Sequence, residues 1–395
     1  MKTSSLRDVG HRVWDIIVLG AGPAGSTAAR ILASSGRSVL LLDKKRFPRT
    51  KVCGCCLNGS AIRLLRESGM ADVLGTAGVQ SLTELRLHVG AYSGNLPLSN
   101  TLVMSREALD TSMVDRAIDA GACFVPEVTV RSTHLEKESR CVEVQSNEDR
   151  PTLRGQLVLA ATGLNSAFLE SEPGLRVAVN SHSRIGVGAA CSVSSLPYES
   201  RTVYMAMSKH GYVGIVRLED GRLNVAAAFD PVYIGKAGGV GNAVANVLSQ
   251  ARLPVIPRSD LLHWRGTSFL SQKRASVAAP RLLVLGDAAG YVEPFTGEGI
   301  AWAIASGFLA ARMTTEAESQ PHGVLEKLWM EVHLKHIQKK QRACAVIAAL
   351  IRSETLSRAL LSLLSSTPWL ARPLLEYFNS SSIANGIMTA GKRSK

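Results

Sequence analysis

The 395-residue sequence lacks features that mark several protein classes. No apolar stretch reaches the roughly 18 residues that a transmembrane helix needs, so the sequence predicts no membrane-spanning helix. Aromatic residues make up only 5% of the chain, which argues against a platform on which nucleic-acid bases stack. We therefore expect no nucleic-acid partner.

Cysteine is also scarce, because seven cysteines in a chain of this length do not form a disulfide framework. The first apolar run leads directly into a glycine-rich turn and is not the core of a signal peptide. No internal repeat or low-complexity tract is visible. These observations predict a cytoplasmic protein.

Positive charge is abundant, with a net charge of +13. Such an excess favours anionic partners, such as nucleotide cofactors, acidic substrates or an anionic membrane surface. A hydrophobic content of 46% and a charged content of 19% describe an ordinary folded protein. The length predicts two or three domains.

A first glycine-rich segment, Gly20–Gly25 (GAGPAG), lies between the apolar run Trp14–Leu19 and the Ala-rich segment Ser26–Leu32. Strand, glycine turn and helix in this order are the context of a dinucleotide fingerprint. The glycines let a pyrophosphate approach the helix N-terminus. A second strand, Arg37–Leu42, ends at Asp43, whose carboxylate can accept hydrogen bonds from a ribose. This acid favours NAD or FAD over NADP.

A second glycine-rich segment, Gly286–Ile300 (GDAAGYVEPFTGEGI), follows the apolar strand Arg281–Leu285. Asp287 then stands at the tip of a strand, where ligands bind in open α/β sheets. Gly297 and Gly299 open a predicted helix whose free N–H groups face the same crevice. Two such loops in one chain predict a single ligand between them, whereas the alternative is a plain glycine-rich turn.

These motifs resemble flavoprotein monooxygenases of the para-hydroxybenzoate hydroxylase fold, and most closely the geranylgeranyl reductase-like branch. That branch has Gly-Asp-Ala-Ala-Gly followed by Pro-x-x-Gly-Glu-Gly-Ile, which Gly286–Gly290, Pro294 and Gly297–Ile300 match. Segments Lys51–Gly54 and Ser105–Asp110 are similar as well, and the resemblance covers residues 13–315.

The resemblance implies bound FAD, with Asp287 on the ribityl chain, Asp43 on the adenosine ribose and Arg106 near the pyrophosphate. The residues expected to bind FAD are Gly20, Gly22, Ala24, Gly25, Asp43, Lys51, Cys53, Arg106, Gly163, Gly286, Asp287, Pro294, Gly297, Glu298, Gly299 and Ile300.

The expected fold is α/β, a Rossmann-like FAD-binding domain with an inserted antiparallel β-sheet substrate domain and C-terminal helices. Short runs separated by turns after residue 166, and a turn-rich segment around Gly94 and Pro97, carry the insertion. The predicted FAD-binding domain comprises residues 13–80, 101–165 and 276–318, the substrate domain residues 81–100 and 166–275, and the helical region residues 319–395.

Two departures from the family pattern bear on the reaction. The hydroxylases have Asp-Gly where this chain has Thr162-Gly163, and in that family the pair serves both FAD and NADPH. NADPH or NADH stays a candidate reductant, but direct reduction by NADPH is in doubt. The Gly-Tyr of the reductases is kept as Gly211-Tyr212, whereas the aromatic residue that usually follows is missing. Tyr212 and the preceding His210 are candidate catalytic residues in the substrate sheet.

A cysteine cluster, Cys53-Gly54-Cys55-Cys56, follows the cations Arg49 and Lys51. Cations lower the pKa of a cysteine, so Cys53 is a candidate for catalysis near the flavin. The spacing of Cys53 and Cys56 also suits a dithiol pair, and Cys53 alternatively packs as a small buried residue. We expect no metal site, because no second pair of ligands accompanies the cluster.

The C-terminal segment alternates apolar residues such as Leu325, Leu328 and Trp329 with the cations Lys335 and Lys339. This pattern indicates amphipathic helices. They either lie peripherally on an anionic membrane or cover the flavin domain.

Together these features predict an FAD-dependent oxidoreductase that acts on a lipophilic or aromatic small molecule. The leading expectation is a monooxygenase (hydroxylase) or a dehydrogenase. The first alternative is reduction of prenyl double bonds, as in geranylgeranyl reductases. An alternative of another class is a non-catalytic flavin-binding protein or a membrane-associated electron-transfer partner.

Overall fold

The computed structural model describes residues 1–75, 78–146, 149–193, 195–293, 295, 297–316 and 323–367. Pro294, which the sequence predicts to bind FAD, lies outside the described residues, as does the last part of the predicted helical region.

A largely parallel sheet forms the first part of the fold. Two of its strands, Val39–Leu42 and Leu282–Val284, are continuous apolar runs that are buried at every position. Such strands are typical of parallel sheets covered on both faces. Across the sheet the order is β17 (Ala278–Ala279), β18 (Leu282–Val284), β9 (Thr152–Ala160), β1 (Val13–Leu19), β2 (Val39–Leu42) and β6 (Cys123–Val125), with β8 (Ser139–Gln145) and β7 (Thr129–Glu136) added beside β9.

The register of this sheet aligns the ends of four parallel strands. Leu19 at the end of β1 pairs with Leu42 of β2 and with Ala160 of β9. Ala160 in turn pairs with Val284 of β18. The turns after these strands, which contain both predicted glycine loops, therefore lie at one edge of the sheet.

Helices pack against both sheets and continue into the C-terminal region. They are α1 (Leu6–Val9), α2 (Pro23–Ser34), α3 (Gly59–Glu67), α4 (Arg106–Asp119), α5 (Pro231–Lys236), α6 (Val240–Gln250), α7 (Gly299–Glu316), α8 (Val324–His333), α9 (Lys339–Leu350) and α10 (Glu354–Ser366), with a π-helical turn (Leu334–Gln338) between α8 and α9.

Helix α7 crosses α2 at very close range. A Cβ added to Gly307 of α7 would lie 2.1 Å from the carbonyl oxygen of Ala24 in α2. Only glycine permits this approach of two backbones. The contact holds the middle of α7 against the N-terminal end of α2, where Gly286 of the second glycine loop also meets Ala24.

A second sheet carries the inserted region. Its order is β15 (Arg265–Phe269), β11 (Ile185–Cys191), β14 (Leu223–Phe229), β13 (Gly211–Arg217), β12 (Thr202–Ser208), β4 (Gln80–Val89), β5 (Tyr92–Val103) and β3 (Cys56–Leu57). Neighbours are antiparallel except β12 and β4, which are parallel. Apolar residues of α6 cover one face, and the other face turns toward the second glycine loop and α10.

A small sheet ties the inserted region to the second glycine loop. It consists of β10 (Val177–Val179), β16 (Gln272–Arg274) and β19 (Gly290–Tyr291). Since β19 belongs to the second loop, its pairing with β16 fixes the loop against the insertion. The predicted fold, a Rossmann-like α/β domain with an inserted β-sheet domain and C-terminal helices, is confirmed.

The prediction of a turn-rich segment around Gly94 and Pro97 is wrong, because both residues lie inside the continuous strand β5. Pro97 pairs with Glu84 beside a register shift in β4. On its other side, β5 pairs with β3 only at Leu102 and Val103. No strand of the described chain needs an N–H from position 97 on that side, so proline is tolerated there.

Candidate active site

The first glycine loop has the tight geometry that the motif predicts. Gly20 has φ +103°, and a Cβ on it would lie 2.4 Å from the carbonyl oxygen of Ala161. A Cβ on Gly25 would lie 1.9 Å from the carbonyl oxygen of Gly20. The loop thus packs on the turn after β9 through backbone alone.

The N-terminus of α2 is free to hold an anion. Its N-cap is Gly22, which provides no side-chain cap, and Pro23 occupies the first turn. The N–H groups of Ala24 and Gly25 lie in the first turn, where an α-helix provides no intrahelical acceptor. This donor set fits a pyrophosphate, as predicted for FAD.

Asp43, at the end of β2, is held in a fixed orientation beside this loop. One carboxylate oxygen accepts a hydrogen bond of 2.9 Å from Ala21 N–H, and the other accepts one of 2.9 Å from Lys45 N–H. Arg49 forms ion pairs with Asp43 at 3.6 Å and with the fully buried Asp110 at 3.2 Å. A carboxylate has about four acceptor positions, so Asp43 retains capacity for the ribose hydroxyls that the resemblance implies.

Arg49 is a residue whose role sequence reasoning missed. Its Nη2 would lie 3.5 Å from a Cβ on Gly22, and within the described residues its Nε has no hydrogen-bond partner. A buried guanidinium with a free donor beside an uncapped helix end suits a phosphate. The sequence signal that could have revealed this role was the need for a cation to balance the charges of Asp43 and Asp110.

Arg106 lies at the start of α4, where Ser105 caps the helix by accepting a hydrogen bond from Ala108 N–H at 3.1 Å. Arg106 donates to both carboxylate oxygens of Asp110, at 2.8 and 2.9 Å. Lys51 lies nearby. Its pKa is lowered to about 8 by the protein atoms that surround it and then by the charges of Arg49 and Arg106, although the side chain itself is exposed.

Cys53 lies beside these cations and has an acidic thiol. Its pKa is lowered to about 6, chiefly by a hydrogen bond from the Cys55 thiol and further by the charge of Arg106, while burial opposes the shift. The N–H of Cys55 donates to Cys53 Sγ at 3.3 Å. Burial and the Cys53 charge raise the pKa of Cys56 to about 12. Cys53 is therefore the thiolate of the cluster at neutral pH.

The second loop contacts the first one directly. Gly286 has φ +58°, and a Cβ on it would lie 3.0 Å from the Cβ of Ala24. Burial raises the pKa of Asp287 to about 6, against the opposing charges of Arg106 and Lys51. Asp287 and Cys53 also influence each other electrostatically, so predicted residues from separate parts of the sequence share one site.

Glu298, which precedes α7, is buried and joins two helix ends. It accepts a hydrogen bond of 2.5 Å from Asn58 Nδ2, while Asn58 caps α3 by accepting from Ala61 N–H at 2.9 Å. Burial raises the pKa of Glu298 to about 7, against the charge of Lys340. Its other oxygen has no hydrogen-bond partner within the described part of the chain.

The remaining predicted cofactor residues lie in the turns at this edge. Gly163 and Gly297 both have φ +76° with open space where a Cβ would stand, and Gly299 and Ile300 begin α7. Thr162, which replaces the acid of the hydroxylases, places its hydroxyl 2.6 Å from that of Ser166. The individual cofactor contacts stay predictions.

The structure separates the two catalytic candidates of the second sheet. The rings of Tyr212 and Phe295 meet edge to face at 5.3 Å between centroids, so Tyr212 faces the second loop. His210 instead stacks on Tyr233 of α5 at 4.5 Å. Burial and the charge of Lys209 lower the pKa of His210, which favours its neutral form.

Tyr291 is a second residue that sequence reasoning missed. Burial raises its pKa well above the usual value, and the charges of Asp287 and Cys53 and the neighbouring Tyr212 add to the effect. Tyr291 therefore senses the charges of both loop residues, and it packs in the same apolar cluster as Tyr212. The only sequence signal was an aromatic residue inside the glycine loop.

An apolar cluster adjoins Tyr291 and Tyr212. It combines residues of the second sheet, the turn after β9, the second loop and the C-terminal helices, and it is called the apolar cluster below. Its members include Leu87, Val89, Leu96, Leu164, Met205, Met207, Tyr212, Ala228, Leu270, Tyr291, Phe295, Ile347, Ile351 and Leu361.

Comparison with known families agrees with this site. A family described as "FAD binding domain" matches residues 13–229, which is more than half of the chain. The chain belongs to this family of FAD-binding proteins. It is an FAD-dependent oxidoreductase, as the sequence predicts.

Relatives in sequence are distant. Conditioned medium factor receptor 1 of Dictyostelium discoideum is 26% identical, over 77% of this chain and 64% of that protein, so the chain spans less than two thirds of its length. Digeranylgeranylglycerophospholipid reductase of Thermoplasma acidophilum is 28% identical, over 77% of this chain and 78% of the relative. Menaquinone reductase of Mycolicibacterium smegmatis is 27% identical, over 76% of each chain.

Solved structures share the fold. A flavin-dependent brominase superimposes with a TM-score of 0.77 at 15% identity, over 97% of this chain and 100% of the other. A geranylgeranyl bacteriochlorophyll reductase-like protein from Thermoplasma acidophilum gives 0.72 at 20% identity, over 90% and 92% of the two chains. Among the described helices, none combines the length and apolarity needed to cross a bilayer.

Proposed function

We propose that this oxidoreductase reduces a carbon–carbon double bond in a lipophilic substrate with an isoprenoid chain. The apolar cluster is the observation that carries the proposal. It provides an apolar wall that includes Tyr291, whose pKa responds to the charges of Asp287 and Cys53. Two relatives are named as reductases of digeranylgeranylglycerophospholipid and of menaquinone, which are isoprenoid lipids.

The wall suits a long apolar chain. Buried residues such as Leu87, Met205 and Leu361 come from strands and from α10, and they form a continuous apolar surface. Burying apolar substrate surface stabilises binding by about 25 cal/mol per Å². A chain lying along this wall is expected to present one double bond near Tyr291.

Reduction of a double bond also needs a proton. Bound FAD supplies the electrons as a hydride equivalent. The raised pKa of Tyr291 keeps the phenol protonated at neutral pH, and the thiolate of Cys53 contributes to that shift. We assign Tyr291 Oη as the proton donor, which burial, and then the charges of Asp287 and Cys53, hold in its protonated form. Tyr212 and Phe295 then position the chain.

Anaerobic turnover tests the proposal. The holoenzyme reduced with dithionite is mixed with an isoprenoid alcohol such as geranylgeraniol, and the product is analysed by mass spectrometry. The expected product has gained two hydrogens, and Tyr291→Phe slows its formation at least tenfold. The nearby Tyr212→Phe, which keeps the ring contact with Phe295, retains most of the rate. If neither an isoprenoid alcohol nor an isoprenoid quinone yields a hydrogenated product, the proposal is contradicted.

Aromatic hydroxylation is a second candidate. The rings of Tyr212 and Phe295, which meet edge to face at 5.3 Å, provide aromatic surface against which a flat substrate ring would pack. A hydroxylase forms no product without oxygen and incorporates an atom of labelled O₂, so the same assay in ¹⁸O₂ separates the two reactions. Bleaching of the flavin absorption by NADPH or NADH under anaerobic conditions identifies the reductant.

The C-terminal helices also support a proposed contact with an anionic membrane. On the outer side, Lys335, Lys339 and Arg342 are exposed, and Val346 (62% exposed) and Leu350 (43%) follow at helical spacing. These residues recur every three or four positions and so share one helix face. Cations followed by apolar residues are typical of helices that lie in a membrane interface.

Helix α10 extends this surface and reaches the proposed substrate site. Leu356 (52% exposed), Leu360 (40%) and Leu363 (50%) face outward, whereas Leu361 is buried in the apolar cluster. An isoprenoid lipid would then pass from the bilayer past α10 to Tyr291.

Vesicle flotation tests the membrane contact. The holoenzyme is expected to float with phosphatidylglycerol vesicles at low salt and to release at high salt, because exposed charges are screened. Leu356→Gln with Leu360→Gln weakens binding, while Val232→Gln, at a 70% exposed apolar position on α5, leaves it unchanged. Absence of flotation at low salt would rule out this surface.

A further inference from the structure

The cysteine loop before β3 has an unusual backbone conformation. Cys55 has φ +59°, a left-handed value that few residues other than glycine adopt. This turn brings the N–H of Cys55 to 3.3 Å from Cys53 Sγ and its thiol to 3.7 Å from the Cys53 carbonyl oxygen. Asn224 of β14 anchors the same carbonyl with a hydrogen bond of 2.9 Å. The backbone N–H and the thiol of Cys55 are thus both held against Cys53.

The two cysteines differ in access and in charge. Cys53 is partly exposed and has the lowered pKa, with Arg106 as a hydrogen-bond donor to its sulfur. Cys55 is only 3% exposed, and its pKa is raised by the hydrogen bond to Cys53 and by burial. A partly accessible thiolate beside a more deeply buried thiol is the arrangement of redox-sensitive cysteine pairs.

Cys56 is placed differently. Its thiol donates to the carbonyl oxygen of Gly54 at 3.3 Å, and its backbone pairs with Val103 as part of β3. A bond from Cys53 to Cys56 would require a strand residue to move, whereas Cys55 already contacts Cys53.

We propose that Cys53 and Cys55 form a reversible disulfide when Cys53 reacts with hydrogen peroxide. The regulatory part of this inference rests on the proposed function, because Cys53 lies beside Tyr291 and Asp287. The covalent chemistry does not depend on the substrate.

The reaction balances in two steps. The Cys53 thiolate attacks one peroxide oxygen, so an S–O bond forms, the O–O bond breaks and hydroxide leaves to become water by taking a solvent proton. Cys55 sulfur, on losing its proton, then attacks Cys53 sulfur. The S–S bond forms, the S–O bond breaks, and the hydroxyl leaves as water with a proton. Overall two thiols give two electrons and two protons to one peroxide.

Formation of the disulfide removes the negative charge of Cys53 from the site. Tyr291 and Asp287 then lose a neighbour that raises their pKa values. Oxidation is therefore expected to change the pH dependence of turnover, and reduction by dithiothreitol to restore it.

Peptide mapping tests the pair without any substrate. The holoenzyme is treated with a small excess of hydrogen peroxide, free thiols are blocked with iodoacetamide, and the protein is digested with trypsin. All three cysteines fall in one peptide, Val52–Arg63. The expected peptide contains a disulfide and a single alkylated cysteine, Cys56, and dithiothreitol before blocking exposes all three thiols.

Matched variants identify the partners. In Cys56→Ser the disulfide still forms, and in Cys55→Ser Cys53 stops as a sulfenic acid that dimedone traps. A disulfide to Cys56, or three alkylated cysteines after peroxide, would overturn the inference. The peptide map of the unmodified protein decides this by itself, so the test does not depend on whether each variant folds. A mapped Cys53–Cys55 disulfide in a protein that reduces no isoprenoid would refute the proposed function but not the redox pair.

Discussion

Buried ionisable side chains fix the chemistry of the site at the scale of single residues. The hydrogen bond between Cys53 and Cys55 acts in opposite directions on its two members, lowering the pKa of the acceptor and raising that of the donor. The positive charge of Arg106 lowers the pKa of Cys53 further. A cluster of three chemically identical thiols therefore contains one thiolate.

The thiolate predicts a pH profile for alkylation of Cys53. Labelling by iodoacetamide needs the deprotonated form, so its rate rises as the pH increases through about 6, rather than through the value of about 8.5 of a free cysteine. Arg106→Gln removes the nearby cation and moves the midpoint upward. The labelling of Val52–Arg63 measured against pH by mass spectrometry gives both values.

The control is Arg116→Gln, which alters an arginine of the same helix whose partners, Asp72 and Asp119, are exposed. It should leave the midpoint unchanged. A midpoint near 8.5 in the unmodified protein would show that Cys53 is an ordinary thiol.

Helix packing brings the two glycine loops together at the scale of elements. Gly307 allows α7 to lie on α2, and Gly286 then meets Ala24 at the start of α2. Ser306 reinforces the contact, since its hydroxyl accepts a hydrogen bond from Gly286 N–H at 2.9 Å. We therefore expect FAD binding to depend on a helix contact away from the loops themselves.

Gly307→Ala is expected to separate α7 from α2, because its Cβ would meet backbone atoms that cannot rotate away. Overpacking of this kind costs about 1–3 kcal/mol. The variant should unfold at lower urea concentration and bind FAD more weakly, as measured by flavin fluorescence.

Gly235→Ala in α5 provides the comparison, since nothing lies within 4 Å of the added Cβ. That change should leave FAD affinity as it is and slightly favour the helix. Equal FAD affinity in the two variants would mean that the α2–α7 contact does not position the loops.

An ion-pair network connects the main regions at the scale of the whole molecule. Glu293 of the second loop pairs with Arg184 of the inserted region at 3.0 Å and with Arg352, after α9, at 3.8 Å. Asp230 pairs with both arginines, at 3.4 and 3.5 Å. Glu293 and Arg184 are almost completely buried, so their charges depend on each other.

Glu293→Gln is expected to destabilise the protein by about 3 kcal/mol or more, because it leaves the buried Arg184 charge incompletely paired. Urea unfolding measures the loss. Limited proteolysis should also cut α9 and α10 sooner, since Arg352 loses one of its two anionic partners.

Glu199→Gln serves as its control, because Glu199 forms an exposed pair with Arg86 at 2.8 Å. Exposed pairs contribute about 0–1 kcal/mol, so this variant should unfold almost like the unmodified protein. If both variants behave alike, the network does not hold the regions together.

The sequence by itself determined the fold class, the cofactor and the main cofactor loops. Strand, glycine turn, helix and terminal acid are adjacent along the chain, and each is required by local backbone geometry or by the charge of a phosphate. The role of Ser105 as a helix cap was also predictable, because a cap is set by residues adjacent along the chain.

Only the tertiary structure decided which residues meet. Arg49, Tyr291, the choice of Cys55 rather than Cys56 as partner of Cys53, and the separation of His210 from Tyr212 all depend on contacts between distant segments. The pKa values of these groups arise from burial and neighbouring charges, which exist only once the sheets and the C-terminal helices have packed. Pattern and spacing describe a single segment, whereas the candidate active site is formed by several of them.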